Sequence, residues 1–261
     1  MSPGRMQLRR VLRSIAVALG AAALGAAALV VAAAGPVRAA YQATADSNTS
    51  AFALNCIGVN DTYPSRLLAA ALAGYRNLGY TTSGYSGPSF TKTQVLSRTL
   101  SDWGYYVHGH GDNYLYSGST RDYGFKEDAG LCTGARTVFA RDISAVRRGR
   151  VSNLVIMSTC HLGESGTTMP AAFAIPKTKA GKDAWAGPNF YLGYLGEAWD
   201  SDEYAFETRF WSAIGPGYGV GQAFDVAKLG AFNVGFSANW YGSYAWTGRA
   251  GPLPSGCTKC L

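Results

Sequence analysis

The sequence contains the stretch Leu154-Val155-Ile156-Met157-Ser158-Thr159-Cys160-His161, in which a short apolar run ends abruptly in polar and reactive side chains. Such a run predicts a buried strand over Asn153 to Met157. An earlier stretch has the same form, because Trp103 to Val107 predicts a strand that runs into His108-Gly109-His110-Gly111. Both predicted strands therefore carry reactive side chains where they end.

Helical patterns separate these strands from others along the chain. Helices are predicted within Pro64 to Gly79, Thr91 to Leu100, Phe139 to Val146, Asp202 to Ile214 and Val220 to Leu229, and further strands at Phe52 to Val59 and Phe190 to Leu195. The alternation predicts an α/β fold with a mostly parallel sheet covered by helices on both faces. In such folds ligands bind outside the carboxyl ends of the strands.

The three histidines of the chain, His108, His110 and His161, all fall at the ends of the two reactive strands, together with Cys160. A thiol needs a base or an electrostatic partner to be a good nucleophile near neutral pH, and a neighbouring histidine commonly supplies it. The clustering therefore predicts nucleophilic chemistry at this edge of the sheet.

Composition limits the class of protein. The chain has 261 residues, of which 48% are hydrophobic and 15% charged, and this excludes a disordered polyampholyte or a coiled coil. The net charge of +7 includes five arginines in the first 39 residues, and removing them leaves +2. The charge therefore gives no reason to expect a nucleic-acid partner. Without an internal repeat, one domain over residues 40–261 is expected.

The first 39 residues have the form of a secretory signal peptide. A basic start precedes the Ala/Leu/Val/Gly run from Ile15 to Ala34, and Val37-Arg38-Ala39 offers a small-residue cleavage site. We therefore expect export and no stable membrane association after cleavage. An uncleaved anchor is the alternative, because the apolar run has 20 residues and is long enough to span a bilayer.

The five cysteines are an odd number for an exported protein, in which thiols tend to pair. We expect Cys160 to be the free thiol, because it ends a strand beside histidine. If the remaining four form two disulfides, three pairings are possible, and the sequence does not choose among Cys56, Cys132, Cys257 and Cys260.

The two strand-end motifs resemble the caspase-fold cysteine peptidases of clan CD, and the pattern is most similar to gingipain-like and CHAT-domain peptidases. The shared features are an apolar strand running into His-Gly, here at His110-Gly111, and a later strand running into Cys160. A softer match is Tyr194-Leu195-Gly196-Glu197-Ala198-Trp199, followed by two helices. The resemblance implies a caspase-like three-layer α/β/α sandwich.

The resemblance also implies roles for individual residues. Cys160 would be the nucleophile and His110 the general acid, acting as a dyad on peptide bonds of a protein or peptide substrate without a cofactor. The backbone N–H groups of Gly111 and Cys160 would form the oxyanion hole. Trp199 would line the specificity pocket, and His108 and His161 would be supporting residues around the dyad.

The sequence indicates the substrate preference less clearly than it indicates the type of reaction. Because the predicted strand before Asp61 would end beside the same site, Asp61 is a candidate for binding Arg or Lys before the scissile bond. Other carboxylates on neighbouring loops compete for this role: Asp112, Glu164, Asp200 and Asp202.

Three alternatives remain at this stage. The domain could be a caspase-fold binding or structural module whose dyad is unused. It could be a mononuclear zinc hydrolase that uses His108, His110 and a cysteine. The aromatic-rich segment from Phe232 to Trp246 could be a ligand platform, although a strand pair packed on the sheet is the prediction we favour.

Overall fold

A ten-stranded framework is seen in the computed structural model, which describes residues 41–57, 61–128, 134–180, 187–214, 218–230 and 237–251. Its strands are β1 (Gln42–Ser47), β2 (Thr81–Ser86), β3 (Gly104–Gly109), β4 (Gly111–Ser117), β5 (Thr120–Lys126), β6 (Thr137–Phe139), β7 (Leu154–Thr159), β8 (Lys179–Ala180), β9 (Phe190–Leu195) and β10 (Ser237–Ser243). Seven of them form the main sheet, in the order β2-β1-β3-β7-β9-β10-β8. Neighbouring strands are parallel except for β9 and β10.

Helices cover both faces of the main sheet. They are α1 (Ser50–Ile57), α2 (Pro64–Asn77), α3 (Lys92–Thr99), α4 (Ala140–Arg147), α5 (Met169–Ala172), α6 (Asp200–Ile214) and α7 (Val220–Lys228). One apolar core joins the sheet to α2, α6 and α7, and a second joins the opposite face to α3, α4 and α5. The protein is therefore a three-layer α/β/α sandwich, as the sequence predicts.

The two cores follow from the alternation of side chains along each strand. In β3, Tyr106 belongs to the first core, whereas Tyr105 and Val107 belong to the second. All three are fully buried. A strand covered on both faces reads as a continuous apolar run, and this is the pattern that makes β3 and β7 recognisable in the sequence.

The pairing of β3 with β7 brings the two reactive strand ends together. The strands are adjacent and parallel, with His108 opposite Ser158 and Gly109 opposite Thr159. Because parallel strands in register finish at the same edge, the segments that follow them, His110-Gly111 and Cys160, emerge side by side.

A small second sheet follows the first reactive strand. Strands β4 and β5 form an antiparallel hairpin, and β6 pairs with β5. The sequence gives no strand prediction for this polar, tyrosine-rich segment. Its side chains are half-buried or exposed along most of β4, so the pattern of a buried strand is missing.

The strand predicted over Phe52 to Val59 is wrong. Residues Ser50–Ile57 form helix α1, and the first strand is the more polar segment Gln42–Ser47. A short apolar run does not distinguish a strand from a buried helix. Strand β1 is hard to recognise because its buried Asp46 is compensated by tertiary partners, accepting hydrogen bonds from Arg98 and from Tyr105 at 2.9 Å.

The aromatic-rich segment contributes to the sheet, since β10 pairs antiparallel with β9. The ring of Trp240 stacks on Phe190, with centroids 5.6 Å apart. This agrees with the predicted packing role, although residues 231–236 lie outside the described part.

Several predictions fall on residues that are not described, among them the signal peptide over residues 1–39 and the pairing of Cys132, Cys257 and Cys260. In the described ranges, no helix has both the length and the apolar character needed to cross a membrane.

Candidate active site at the ends of strands β3 and β7

A cavity of about 260 Å³ opens where β3 and β7 end. Its walls include most of the residues singled out from the sequence: Cys160, His110, His108, Asp61 and Trp199. Asp200, at the start of α6, completes the floor. The structure therefore brings the predicted nucleophile, the predicted acid and both predicted pocket residues to one place.

Cys160 is a free thiol and is partly exposed to the cavity. The Ala198 amide donates to its Sγ at 3.4 Å, and the thiol is 3.8 Å from the Ala198 carbonyl oxygen. Burial raises the pKa of the thiol to about 11, against the effect of the Ala198 amide and with a further rise from Glu203, Asp200 and Glu197. The resting protein therefore holds a neutral thiol at neutral pH.

His110 lines the same cavity. Its backbone N–H donates to Oδ1 of Asn48 at 3.2 Å, and its ring stacks on Phe52 with centroids 6.1 Å apart. Burial lowers the pKa of the imidazole, and His108 and Lys126 add to this effect, whereas Asp200 opposes it. A neutral imidazole is the form that can accept a proton from a thiol.

Gly111 lies directly against the backbone of the cysteine. A Cβ atom here would come within 2.6 Å of both the Cys160 carbonyl oxygen and Oγ1 of Thr159. The Lys126 amide donates to the His110 carbonyl at 2.9 Å, which makes Gly111 and Phe125 a pair without mutual hydrogen bonds. The Gly111 N–H consequently points away from β5, and no protein partner in the hairpin takes it.

Two carboxylates line the floor of the cavity. Asp61 accepts a hydrogen bond from the Tyr63 amide at 2.7 Å. Its pKa is raised to about 6 by burial and by its hydrogen bond with Asp200. Burial disfavours the charge of Asp200, but the hydrogen bond and charge of His108 outweigh it and hold that pKa at about 2. The pair therefore carries at least one negative charge at neutral pH.

His108 is buried behind this floor and is held at both ring nitrogens. Its Nδ1 is 3.0 Å from Oγ of Ser47, and its Nε2 is 3.0 Å from Asp200 and 3.6 Å from Glu203. These donor atoms of His108, Asp200 and Glu203 lie within 4.8 Å of one another, a set that could hold a metal ion. This ligand set differs from the one that the sequence offers for zinc, because it contains neither His110 nor a cysteine.

Glu203 and Glu207 continue the acidic layer into the core along α6. Ser158 donates to Glu203 at 2.9 Å, while Tyr106 and Tyr194 donate to Glu207 at 2.9 and 2.8 Å. Burial raises the pKa of both carboxyl groups. The sequence does not identify these two residues as part of the site, because a helical pattern gives no sign of which carboxylates turn inward.

Trp199 and His161 differ in their relation to the cavity. Trp199 stands at the rim with 65% of its surface exposed, where it can contact a ligand entering the cavity. His161 is not among the lining residues, and its Nδ1 pairs with Glu164 at 2.6 Å. His161 therefore makes no direct contribution to the walls around the thiol.

Sequence reasoning misses Asn48, Glu203 and Glu207 as site residues, whereas Asp200 is already among the rival carboxylates. Asn48 is recognisable only in the fold, because it follows the polar strand β1 and reaches the His110 amide across the sheet. Because strand β1 cannot be recognised from the sequence, the position of Asn48 after it cannot be recognised either.

Comparison with known proteins adds little to this geometry. No family model matches the sequence, and no curated protein matches it. One solved structure with similarity is protein GSU0716 from Geobacter sulfurreducens, at 12% identity and a TM-score of 0.44. The alignment covers 77% of this chain and 92% of that chain.

Proposed function

We propose that this protein is an exported cysteine endopeptidase with Cys160 as nucleophile and His110 as acid and base. The observation that carries the proposal is the shared cavity, in which a free thiol and an imidazole stand at the ends of adjacent parallel strands. This juxtaposition is the minimum arrangement for thiol acyl transfer.

The protonation states suit a reaction that starts when substrate binds. Both groups are neutral at rest, so His110 removes the thiol proton as sulfur attacks the scissile carbonyl carbon. The oxygen gains negative charge, which in this mechanism the N–H groups of Gly111 and Cys160 stabilise. His110 then returns the proton to the leaving amine as the carbon–nitrogen bond breaks, and water hydrolyses the thioester.

The acidic floor favours a basic side chain before the scissile bond. Asp61 and Asp200 present negative charge to the cavity, and Trp199 at the rim offers an aromatic face to the stem of a long side chain. A bound Arg or Lys would also offset the negative charge that opposes thiolate formation. Binding of the preferred substrate would thus assist activation of the nucleophile.

The test is cleavage of fluorogenic peptides that differ only in the residue before the scissile bond. We expect Arg and Lys substrates to be cleaved, Cys160→Ala to abolish turnover, and His110→Ala to lower kcat by roughly 100-fold or more. His161→Ala serves as the matched control, because it removes a histidine outside the cavity. Turnover that persists in Cys160→Ala would refute the proposal.

A binding domain with an unused dyad is the second candidate, and the raised pKa of Cys160 favours it. A cavity with an acidic floor can hold a basic side chain without cleaving the adjacent bond. The candidates separate if the same peptides are tested for both binding and cleavage. Binding that is unchanged in Cys160→Ala, with no cleavage by the wild type, would favour this second function.

A further inference from the structure

We propose that His108, Asp200 and Glu203 form a binding site for a divalent transition-metal ion, of which zinc is the model, at the floor of the cavity. This site does not depend on the peptidase activity. It also excludes Cys160 and His110 as ligands, so it is separate from a zinc hydrolase centre built on those residues.

Two of the three separations between the ligand atoms match such an ion, and the third, between the Asp200 and Glu203 oxygens, lies within 4.8 Å. Donor atoms bonded tetrahedrally to zinc at about 2.0–2.1 Å are separated by roughly 3.3 Å. Nε2 of His108 lies 3.0 Å from Asp200 and 3.6 Å from Glu203, on either side of that value. Imidazole and carboxylate groups both bind zinc in proteins, and three protein ligands leave a fourth position open to water.

A separate contact orients the histidine for this role. The hydroxyl hydrogen of Ser47 is directed to the carbonyl oxygens of Asn48 and Pro64, at 3.0 and 3.2 Å. The Ser47 oxygen therefore accepts a hydrogen bond from Nδ1–H of His108, 3.0 Å away. This contact places a hydrogen on Nδ1 and orients Nε2 towards the carboxylates, where a bound ion would take the place of the hydrogen that Nε2 shares with Asp200, as in metal-bound histidines that are oriented from their second nitrogen.

A bound cation would also stabilise the acidic groups around the imidazole. Asp61, Asp200, Glu203 and Glu207 lie together, yet none of them forms a salt bridge with a lysine or arginine among the described residues. His108 is the basic side chain that the described part brings against Asp200 and Glu203. A divalent ion would balance the two ligand carboxylates, which are otherwise costly to bury.

The site has a path to solvent on the cavity side. The His108 and Glu203 side chains are only 3% and 2% exposed, whereas 31% of the Asp200 side chain is accessible. His108 and Asp200 both line the cavity, so an ion can enter from there. Two ligands are thus held in the core and the third lies at the entrance.

The experiment is titration of the full-length, chelator-treated protein with Co²⁺, a zinc analogue whose visible absorption reports tetrahedral binding. We use a Cys160→Ala background so that thiol binding does not contribute. One equivalent of Co²⁺ should bind and be displaced by Zn²⁺. His108→Gln and Glu203→Gln should each weaken binding by at least about 100-fold, because each loses a direct ligand.

The matched controls are His161→Gln and Glu164→Gln, which alter a His–Glu pair outside the cavity, and His110→Ala. All three should bind Co²⁺ as the parent does. Because Glu203 is buried, its substitution could disturb folding, and Asp200→Asn at the entrance is a third ligand variant with less of this risk. Circular dichroism shows whether each variant is folded. The proposal would be overturned if the parent did not bind Co²⁺. It would also be overturned if His108→Gln, Glu203→Gln and Asp200→Asn all bound Co²⁺ as the parent does, or if His110→Ala lost binding.

The readout is metal binding and not peptide cleavage. A protein that binds Co²⁺ through His108 without cleaving peptides would uphold this site and refute the peptidase. A protein that cleaves peptides but does not bind Co²⁺ would refute this site and uphold the peptidase.

Discussion

At the scale of single residues, Gly111 is a position where the structure leaves no room for a side chain. It packs on the Cys160 carbonyl at the turn from β3 into β4, and the proposed mechanism uses its amide as an oxyanion donor. The motif His-Gly can be read from the sequence, but the reason for the glycine appears only when β7 is brought against it.

Gly111→Ala is expected to destabilise the protein and to lower the proposed activity. The added methyl group would lie 2.6 Å from the Cys160 carbonyl oxygen, so the backbone must shift, at a cost of roughly 1–3 kcal/mol. Loss of one oxyanion donor lowers kcat by about 100-fold or more. Urea unfolding and peptide turnover measure the two effects.

Gly251→Ala is the control for this variant, because no atom of the described residues lies within 4 Å of the added atom there. Equal stability of the two alanine variants would contradict the packing argument at Gly111.

The thiol of Cys160 should react slowly at neutral pH. Burial and the neighbouring Glu203, Asp200 and Glu197 raise its pKa to about 11, so alkylation by iodoacetamide should accelerate as pH rises towards that value. Glu197→Gln removes one negative charge and should increase the rate at a fixed pH near 8. Peptide mapping after limited alkylation provides the measurement. A plateau reached below about pH 8.5, the ordinary thiol range, would show that burial and the neighbouring acids do not control this group.

At the scale of secondary-structure elements, the sequence indicates the helices and strands that have a clear apolar face. Helix α3 is an example, because Thr91 caps it by accepting a hydrogen bond from the Gln94 amide at 3.2 Å, and Val95 is fully buried. Strand β1 is the counterexample. Its polar residues are stabilised by Arg98 and Tyr105, which lie far away in sequence, so no local pattern predicts a strand there.

The contact between α2 and α6 makes a prediction of its own. Gly74 lies under the Trp211 ring, and an added Cβ would come within 2.1 Å of it. Gly74→Ala should therefore destabilise the fold, although alanine in an exposed helix is more favourable than glycine by about 1 kcal/mol. The midpoint of thermal or urea unfolding shows whether Gly74→Ala lowers or raises the stability of the protein.

A stabilising effect of Gly74→Ala would mean that the indole moves aside at little cost. Ala69→Gly, at an exposed position of the same helix, gives the intrinsic difference between the two residues for comparison.

At the scale of the whole molecule, the buried acids should make stability depend on pH. Burial raises the pKa of Glu207 above its ordinary value of 4.5, so the native state binds the proton more tightly than the unfolded state. Its contribution to stability is complete below about pH 4.5 and is lost as pH rises through the native pKa, with a slope of at most about 1.4 kcal/mol per pH unit.

Glu207→Gln removes this titration and keeps the shape of the side chain. The free energy of unfolding of the variant should therefore increase relative to that of the wild type as pH rises from about 5 to 8, so that the variant becomes relatively more stable. Denaturant unfolding at several pH values gives the difference. A difference that is constant with pH would show that Glu207 has the same proton affinity in both states.

The sequence by itself determined the α/β class, the main succession of helices and strands, and the two strand ends that carry Cys160 and His110. These features depend on local periodicity and on chain order, which are written along the sequence. The tertiary structure decided that Asp61 reaches the cavity from a helix end, that His161 stays outside it, and that His108 faces Asp200 and Glu203. These contacts join residues distant in the chain, so they exist only once the sheet has set its strand order and α6 has turned its carboxylates inward.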